Sequence, residues 1–357
     1  MITQTNNTIA VKRTENPRVA NFDFENIQFG KQFSDHMFSA HYKNGEWGEL
    51  QVVPFGNVSM NPAAGALHYG QAIFEGMKAY KASDGKVVLF RPELNIARLN
   101  KSAERLCMPT IPESIFMDGL KQLLDVDREW VPAREGNSLY IRPFMFASEA
   151  VLGVRPSAGY HFMIITSPVG NYYSESVKLK VEKKYTRAAN GGVGYAKAAG
   201  NYAAALYPAM LAAKEGYHQL LWTDSKEHKY FEEAGTMNIM FQVEGKLITP
   251  SLEPQTILEG ITRRSVLELA REMGVTVEER KISVDEIRAA LENNTLQDAF
   301  GVGTAANIAP VALIGFGDKD YDLPPVAERE LSAKLKSALE AIKKGQVEDR
   351  HNWTVKI

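Results

Sequence analysis

An α+β fold in two domains is what the sequence predicts, on three observations. At 357 residues the chain is long enough for two domains of ordinary size. An apolar content of 45% supplies the material for a real core. Strand-like runs such as SLYIRPFMF (138–146) and HFMIIT (161–166) alternate with helical stretches, without the regular strand–helix series of a parallel sheet. The strands are therefore expected to pair largely antiparallel.

Residues 1–20 are polar and read as a loosely held arm. The turn Ala-Ser-Asp-Gly ending at Gly85 leads into a strand over Lys86–Phe90. Over 93–107, Leu94, Ala97, Leu99, Ala103 and Leu106 fall largely on one face, which predicts a helix ended near Pro109. Pro168, Gly170 and the polar stretch Asn171–Ser176 mark a connector over 169–180, dividing a small domain (1–168) from a larger one (181–357). Lys178–Val181 reads as a strand, followed by an Ala/Gly-rich loop over Arg187–Gly200. A helix is expected over 202–215, interrupted or kinked at Pro208 and closed by Gly216.

Gln219–Thr223 is a strand, and Met237–Val243 pairs with Lys246–Thr249 as a hairpin across Glu244–Gly245. Gly274 lies past the end of a helix over 261–273. Ser283 and Glu286 form the S-x-x-E box that opens a helix over 284–292. Val326–Lys344 reads as one long charged amphipathic helix.

The charge balance excludes several classes of function. Forty-one Lys and Arg against 43 Asp and Glu leave a net charge of −2, with no basic field to hold nucleic acid. No apolar run approaches the roughly 20 residues needed to span a bilayer. Cys107 is the only cysteine, which excludes an internal disulfide and a thiolate zinc site and fits a reducing, cytoplasmic setting. No histidine pair has metal spacing, so no metal is expected. The N-terminus MITQTNNTIAVKRTENPR has neither a signal core nor a transit-peptide composition.

Chemistry concentrates in the second half. Gly191–Gly194, Leu258–Thr262 and Gly301–Thr304 are glycine-rich, yet none is a dinucleotide fingerprint or a P-loop. They read either as ordinary turns or as exposed backbone N–H groups near helix starts, and an anion is favoured where Gly260-Ile261-Thr262 opens a helix. Lys197, in GGVGYAKAAGNY, is either an exposed loop lysine or a desolvated amine of the kind Schiff-base chemistry uses. Glu232-Glu233 precedes a strand and is either a solvated pair or a carboxylate facing a cationic heterocycle. The first half adds Arg98 and a set of aromatics (Phe29, Tyr69, Phe74, Tyr140, Tyr172) that core packing alone could explain.

In order along the chain, eight segments resemble the branched-chain amino acid aminotransferases, pyridoxal-phosphate enzymes of fold type IV. They are FGKQFSDHMF (29–38), LHYGQAIFEGMKAY (67–80), LFRPELNIARL (89–99), SLYIRPFMF (138–146), GVGYAKAAGNYAAAL (192–206), EAGTMNIMF (233–241), LEGITRRS (258–265) and GVGTAANIAPV (301–311). DHMF and FEGMKAY are closer to the branch that contains the animal enzymes and their bacterial relatives.

The resemblance implies roles. Lys197 matches the catalytic lysine that holds pyridoxal 5'-phosphate as a Schiff base and shuttles a proton. Glu233 matches the partner of the pyridine nitrogen, whose protonated ring is the electron sink, and Tyr202 the partner of the phenolic oxygen. Arg98, Ile261, Thr262 and Thr304 match the phosphate cup. Phe29, Tyr69, Phe74, Tyr140, Arg142, Tyr172, Thr236 and Ala305 correspond to the substrate cavity, which accepts a branched apolar side chain and a carboxylate in turn. Leu152 and Val154 match a loop reaching a neighbouring subunit, which implies a homodimer.

The implied reaction moves the amino group of leucine, isoleucine or valine to 2-oxoglutarate. FEGMKAY and GNYAAAL argue against the sister activities, D-amino acid transamination and aminodeoxychorismate cleavage. A cofactor-free phosphosugar-binding protein or a cofactor-free lysine lyase would leave Arg98, Tyr202 and Thr304 without a joint purpose. One departure stands out: the animal enzymes' Cys-x-x-Cys pair is replaced by Ala306 and Ala309, so no thiol switch of that kind is expected.

Overall fold

A computed structural model describes residues 8–170 and 176–357. The chain forms two compact units, Met1–Tyr172 with Lys197–Ala199 and Ile342–Ile357, and Tyr173–Ala196 with Gly200–Ala341.

The first unit is built on β1 (Ala10–Val11), β2 (His36–Lys43), β3 (Glu46–Pro54), α1 (Gly65–Tyr69), β4 (Ala72–Phe74), β5 (Met77–Lys81), β6 (Val87–Phe90), α2 (Pro92–Arg105), α3 (Glu113–Val126), β7 (Ser138–Ala147) and β8 (Tyr160–Val169). Its sheet runs β1-β3-β2-β8-β7-β5-β6 and ends on a C-terminal strand, Thr354–Lys356, with β4 pairing β7 as a branch. All pairings but β1–β3 are antiparallel. Phe38, Leu99, Phe116, Leu120 and Phe162, from strands and from α2 and α3, form one core cluster. Gly119 lets α3 approach β2, because a Cβ there would meet the Phe38 ring at 2.6–2.8 Å.

The second unit contains β9 (Val177–Val181), α4 (Ala199–Lys214), β10 (Gln219–Thr223), β11 (Phe231–Ala234), β12 (Met237–Val243), β13 (Lys246–Pro250), α5 (Ile261–Glu272), β14 (Val277–Arg280), α6 (Val284–Glu292), β15 (Leu296–Gly303), β16 (Asn307–Gly315), β17 (Asp320–Asp322) and α7 (Glu330–Lys343), except that Ala199 of α4 and Ile342–Lys343 of α7 belong to the first unit. Its strands follow β11-β10-β9-β16-β15-β12-β13-β14, and a β11–β12 pairing closes the first six into a ring. The core of this ring includes Leu179, Leu221, Ile239, Phe241 and Val311.

Local sequence signals carry over where the chemistry is short-range. Ser283 caps α6, its hydroxyl accepting from the Glu286 N–H at 3.0 Å. The strand over Gln219–Thr223 and the hairpin of β12 and β13 form as expected. Several expectations change. The N-terminal arm is tied down from Ala10, where β1 pairs β3, and Arg18 closes on Asp35 at 3.0 Å. The helix expected at 202–215 begins at Ala199 and continues through Pro208.

Gly301–Gly303 lies within β15 and not at a helix start. The single helix expected at 326–344 breaks at Arg329, which is extended between a 3-10 turn and α7. The Arg329 guanidinium is buried against Asp298 and the carbonyls of Val311 and Pro324, and that pull overrides the helical periodicity. The 169–180 connector shortens, since β8 runs to Val169 and β9 starts at Val177, and the unit division puts Ile342–Ile357 with the first unit. Among the described residues no helix is long and apolar enough to cross a membrane.

Candidate functional site

In the first unit, Lys197 is held by its backbone before its side chain does anything. Its N–H donates to Ser102 Oγ at 2.8 Å, and its carbonyl accepts from Phe74 N–H at 3.1 Å. Ser102 on α2 donates in turn to the Arg98 carbonyl, and Ala198 bridges Ile73 of β4. The Lys197 Nζ then lies 4.7 Å from the centre of the Phe74 ring. Burial and the Arg98 cation lower its pKa from the ordinary lysine value to about 8. A substantial share of neutral amine near pH 8 makes this a nucleophile and a proton carrier.

Arg98 projects from α2 onto Glu75, which is fully buried. Arg98 Nε and Nη2 each donate to that carboxylate at 2.8 Å, and Asn95 Nδ2 adds a bond at 2.7 Å. The sequence reading assigns Glu75 no role, although it lies inside FEGMKAY; an acidic residue between Phe74 and Gly76 was the available signal. Gly76 follows because a Cβ there would run into the Tyr140 hydroxyl. Tyr140 accepts from Arg142 Nη2 at 2.9 Å, while the Arg142 guanidinium stacks 4.6 Å from the Phe74 ring centre. Phe29 meets Tyr140 edge-on at 5.2 Å.

Five of the expected residues (Lys197, Phe74, Tyr140, Arg142 and Phe29) are thus joined by direct contacts, with Arg98 acting on Lys197 through its charge. Tyr69, at the end of α1, lines a cavity of about 350 Å³ with Leu106, Cys107 and Val154. Leu152 and Val154 are strongly exposed, at 66% and 88%. Tyr172 lies outside the described residues.

In the second unit, Glu233 on β11 is buried and every oxygen is engaged. Oε1 accepts from Asn238 Nδ2 and from the Leu258 N–H, both at 3.0 Å. Oε2 lies 2.6 Å from Arg187 Nε. Glu233, Tyr202, Thr236, Arg187 and Leu258 line one small cavity. Asn238 also donates to the Leu258 carbonyl, so it anchors the loop that leads to α5.

Ile261 and Thr262 are buried in the first turn of α5, which has no side-chain cap and no acidic residue there. Gly260 precedes them because a Cβ would strike the Asn238 side chain. A buried N-terminal turn of this kind favours an anion. Thr304 and Ala305 sit in the turn between β15 and β16.

Glu232 points to a different balance. Its Oε2 and the Thr256 hydroxyl are both buried, close enough for Thr256 to act on the carboxyl but without a well-formed hydrogen bond among the described residues. Burial pushes its carboxyl from near 4.5 up to about 7, against the opposite influence of Thr256 and Arg187. Because the folded state binds this proton more tightly, the stabilising contribution is present below the unfolded value and is lost as pH rises through about 7. Glu232→Gln is therefore expected to raise stability at pH 8 by about 1–3 kcal/mol and to change it little at pH 4.5. Urea unfolding of both proteins at the two pH values measures this, and equal stability differences at both would refute it.

Comparison with known proteins agrees with this chemistry. A model of the family described as amino-transferase class IV matches residues 72–314. A probable branched-chain-amino-acid aminotransferase of Staphylococcus epidermidis is 47% identical over 340 residues, covering 94% of each chain. Branched-chain-amino-acid aminotransferase 2 of Bacillus subtilis is 46% identical, covering 94% of this chain and 93% of its own. The solved Escherichia coli branched-chain amino acid aminotransferase superposes with a TM-score of 0.70 at 27% identity, over 90% of this chain and 98% of that one. A Thermobaculum terrenum enzyme solved in its PLP form shares the fold, with a TM-score of 0.73 at 24% identity over 90% and 98% of the two chains.

Proposed function

Since the chain belongs to the class IV aminotransferases, we propose that it is a pyridoxal-phosphate-dependent enzyme that transfers the amino group of leucine, isoleucine or valine to 2-oxoglutarate. The observation that carries this reading is the desolvated Lys197 amine, with its pKa near 8, fixed beside Phe74, Tyr140 and Arg142. Two further features fit the cofactor. The capless, buried first turn of α5 is cradled by Gly260, where no side chain would fit, and suits a phosphate. The Glu233 carboxylate lines a cavity with Tyr202.

When bound, pyridoxal phosphate supplies an aldehyde that condenses with amines and a cationic ring that accepts the electron pair released at the substrate's Cα. Lys197 would hold it covalently, and Nζ would take and return the Cα proton. Glu233 would face the ring nitrogen and Tyr202 the phenolic oxygen. Arg98, the amides of Ile261 and Thr262, and Thr304 would hold the phosphate.

Phe29, Phe74, Tyr69, Thr236 and Ala305 would enclose the branched side chain and exclude water. Tyr140 and Arg142 would receive the second carboxylate of glutamate. One pocket can serve both partners because the guanidinium is itself stacked on Phe74, so its apolar and charged surfaces are adjacent.

We also propose a cytoplasmic homodimer. Exposed Leu152 and Val154, together with the exposed apolar Leu206, Tyr207 and Met210 on α4, support a partner surface, and a single cysteine suits a reducing compartment.

The test is a visible absorption spectrum of the purified protein before and after L-leucine, without an acceptor. A band at the visible edge that leucine converts to a shorter wavelength is the expected result. A colourless protein that stays unresponsive after pyridoxal phosphate is supplied would overturn the reading.

A further inference from the structure

Arg187 stands at a junction that the implied site roles leave unused. Its Nε lies 2.6 Å from Glu233 Oε2, and its side chain is only 9% exposed. Its Nη1 donates to the Thr256 carbonyl at 2.7 Å and approaches the Gly194 carbonyl at 3.4 Å. One guanidinium therefore connects Glu233 to the loop before α5 and to the glycine loop that ends near Lys197. Gly194 is required beneath it, because a Cβ would come within 2.5 Å of the Thr256 carbonyl oxygen.

The other carboxylate oxygen is held by Asn238 and the Leu258 N–H. Three donors from three separate segments thus fix the orientation of Glu233, and of these Arg187 brings a full charge. A cation in contact with a carboxylate lowers that carboxylate's proton affinity more than the affinity of a base lying beyond it. A proton shared between Glu233 and a neighbouring ring nitrogen is then driven onto the nitrogen. Neighbouring Glu232 does not compete fully for the charge, since its buried carboxyl holds its own proton up to about pH 7.

We propose that Arg187 is a positioning residue for the reaction: it keeps Glu233 ionised and oriented so that the proton resides on the ring nitrogen of the cofactor. This rests on the reading that the chain binds pyridoxal phosphate with Glu233 facing that nitrogen. A lysine in place of Arg187 retains the charge and loses the simultaneous bonds to Thr256 and Gly194, whereas a glutamine retains polarity and loses the charge.

The experiment uses holoenzyme loaded with pyridoxal phosphate labelled with ¹⁵N in the ring, and reads the nitrogen's chemical shift together with the leucine half-reaction rate. Wild type should give a pyridinium signal. Arg187→Gln should move that signal toward neutral pyridine and slow the half-reaction about 10- to 100-fold, an effect of the size expected for losing correct protonation of a reacting group. Arg187→Lys should keep the pyridinium signal and lose less than tenfold in rate. It also serves alone if the glutamine variant does not fold.

A pyridinium signal and a near-normal rate in Arg187→Gln would overturn the proposal, as would a neutral-pyridine signal in Arg187→Lys. Failure of wild type to bind the labelled cofactor, or a neutral ring in wild type, would instead overturn the underlying reading. In the Glu233→Gln background, Arg187→Gln should add less than a further twofold loss. An independent, multiplied loss there would mean that Arg187 does not act through Glu233.

Discussion

Lys197→Ala is expected to abolish covalent attachment of pyridoxal phosphate and to lower multiple-turnover transamination by about three orders of magnitude. Two roles disappear together: the amine that binds the cofactor's aldehyde and the base at the substrate's Cα. The fold should survive, because the side chain being removed is a desolvated amine whose charge the surroundings already disfavour. The backbone bonds that fix this segment, from Lys197 N–H to Ser102 and from Phe74 N–H to the Lys197 carbonyl, do not involve the amine.

The same environment sets a pH dependence for wild type. Only the neutral amine reacts with an aldehyde, so the rate at which apoprotein captures pyridoxal phosphate should rise with pH and level off above about 8. An ordinary exposed lysine would still be gaining rate above pH 10. Turnover counted with leucine and 2-oxoglutarate, and borohydride trapping followed by peptide mapping, measure the two effects. Normal turnover in Lys197→Ala would refute the assignment.

The largest loss of stability is expected from Glu75→Ala. The carboxylate is fully buried and receives both Arg98 donors and the Asn95 amide. Removing it takes both of these bonds from the buried Arg98 cation, a change that costs about 3–5 kcal/mol when a buried pair loses one partner. That is a large part of the stability of an ordinary domain. The pairing also fixes the direction in which Arg98 leaves α2, so the variant should bind cofactor more weakly even where it remains folded. Urea unfolding of the apoprotein is the measurement, and a destabilisation under 1 kcal/mol would show that the pair does not carry this load. Replacing both residues by apolar ones of similar size should recover part of the loss, because no uncompensated charge then remains.

The sites show how far a linear reading reaches. Lys197 in its Ala/Gly loop and the Gly260-Ile261-Thr262 turn stand out by residue type and neighbours, but the ordered motifs are what choose between the two readings of each. Glu75 does not stand out, because its burial and its meeting with Arg98 require β4, β5 and α2 to pack. Arg187 is likewise an unremarked loop residue until β11 brings Glu233 to it.

By itself the sequence determined the α+β class, the antiparallel bias, most helix and strand identities in the second half, and the family, since each depends on local periodicity, caps or ordered motifs. Ser283 and Glu286 cap α6 through atoms three residues apart, and no distant contact is needed. Only the tertiary structure decided the closed six-strand ring, the placing of Ile342–Ile357 with the first unit, the break at Arg329 and the partners of Glu75 and Glu233. These outcomes turn on strand pairing between distant segments and on the cost of leaving a charge unpaired inside protein, and neither is encoded in any short window of residues.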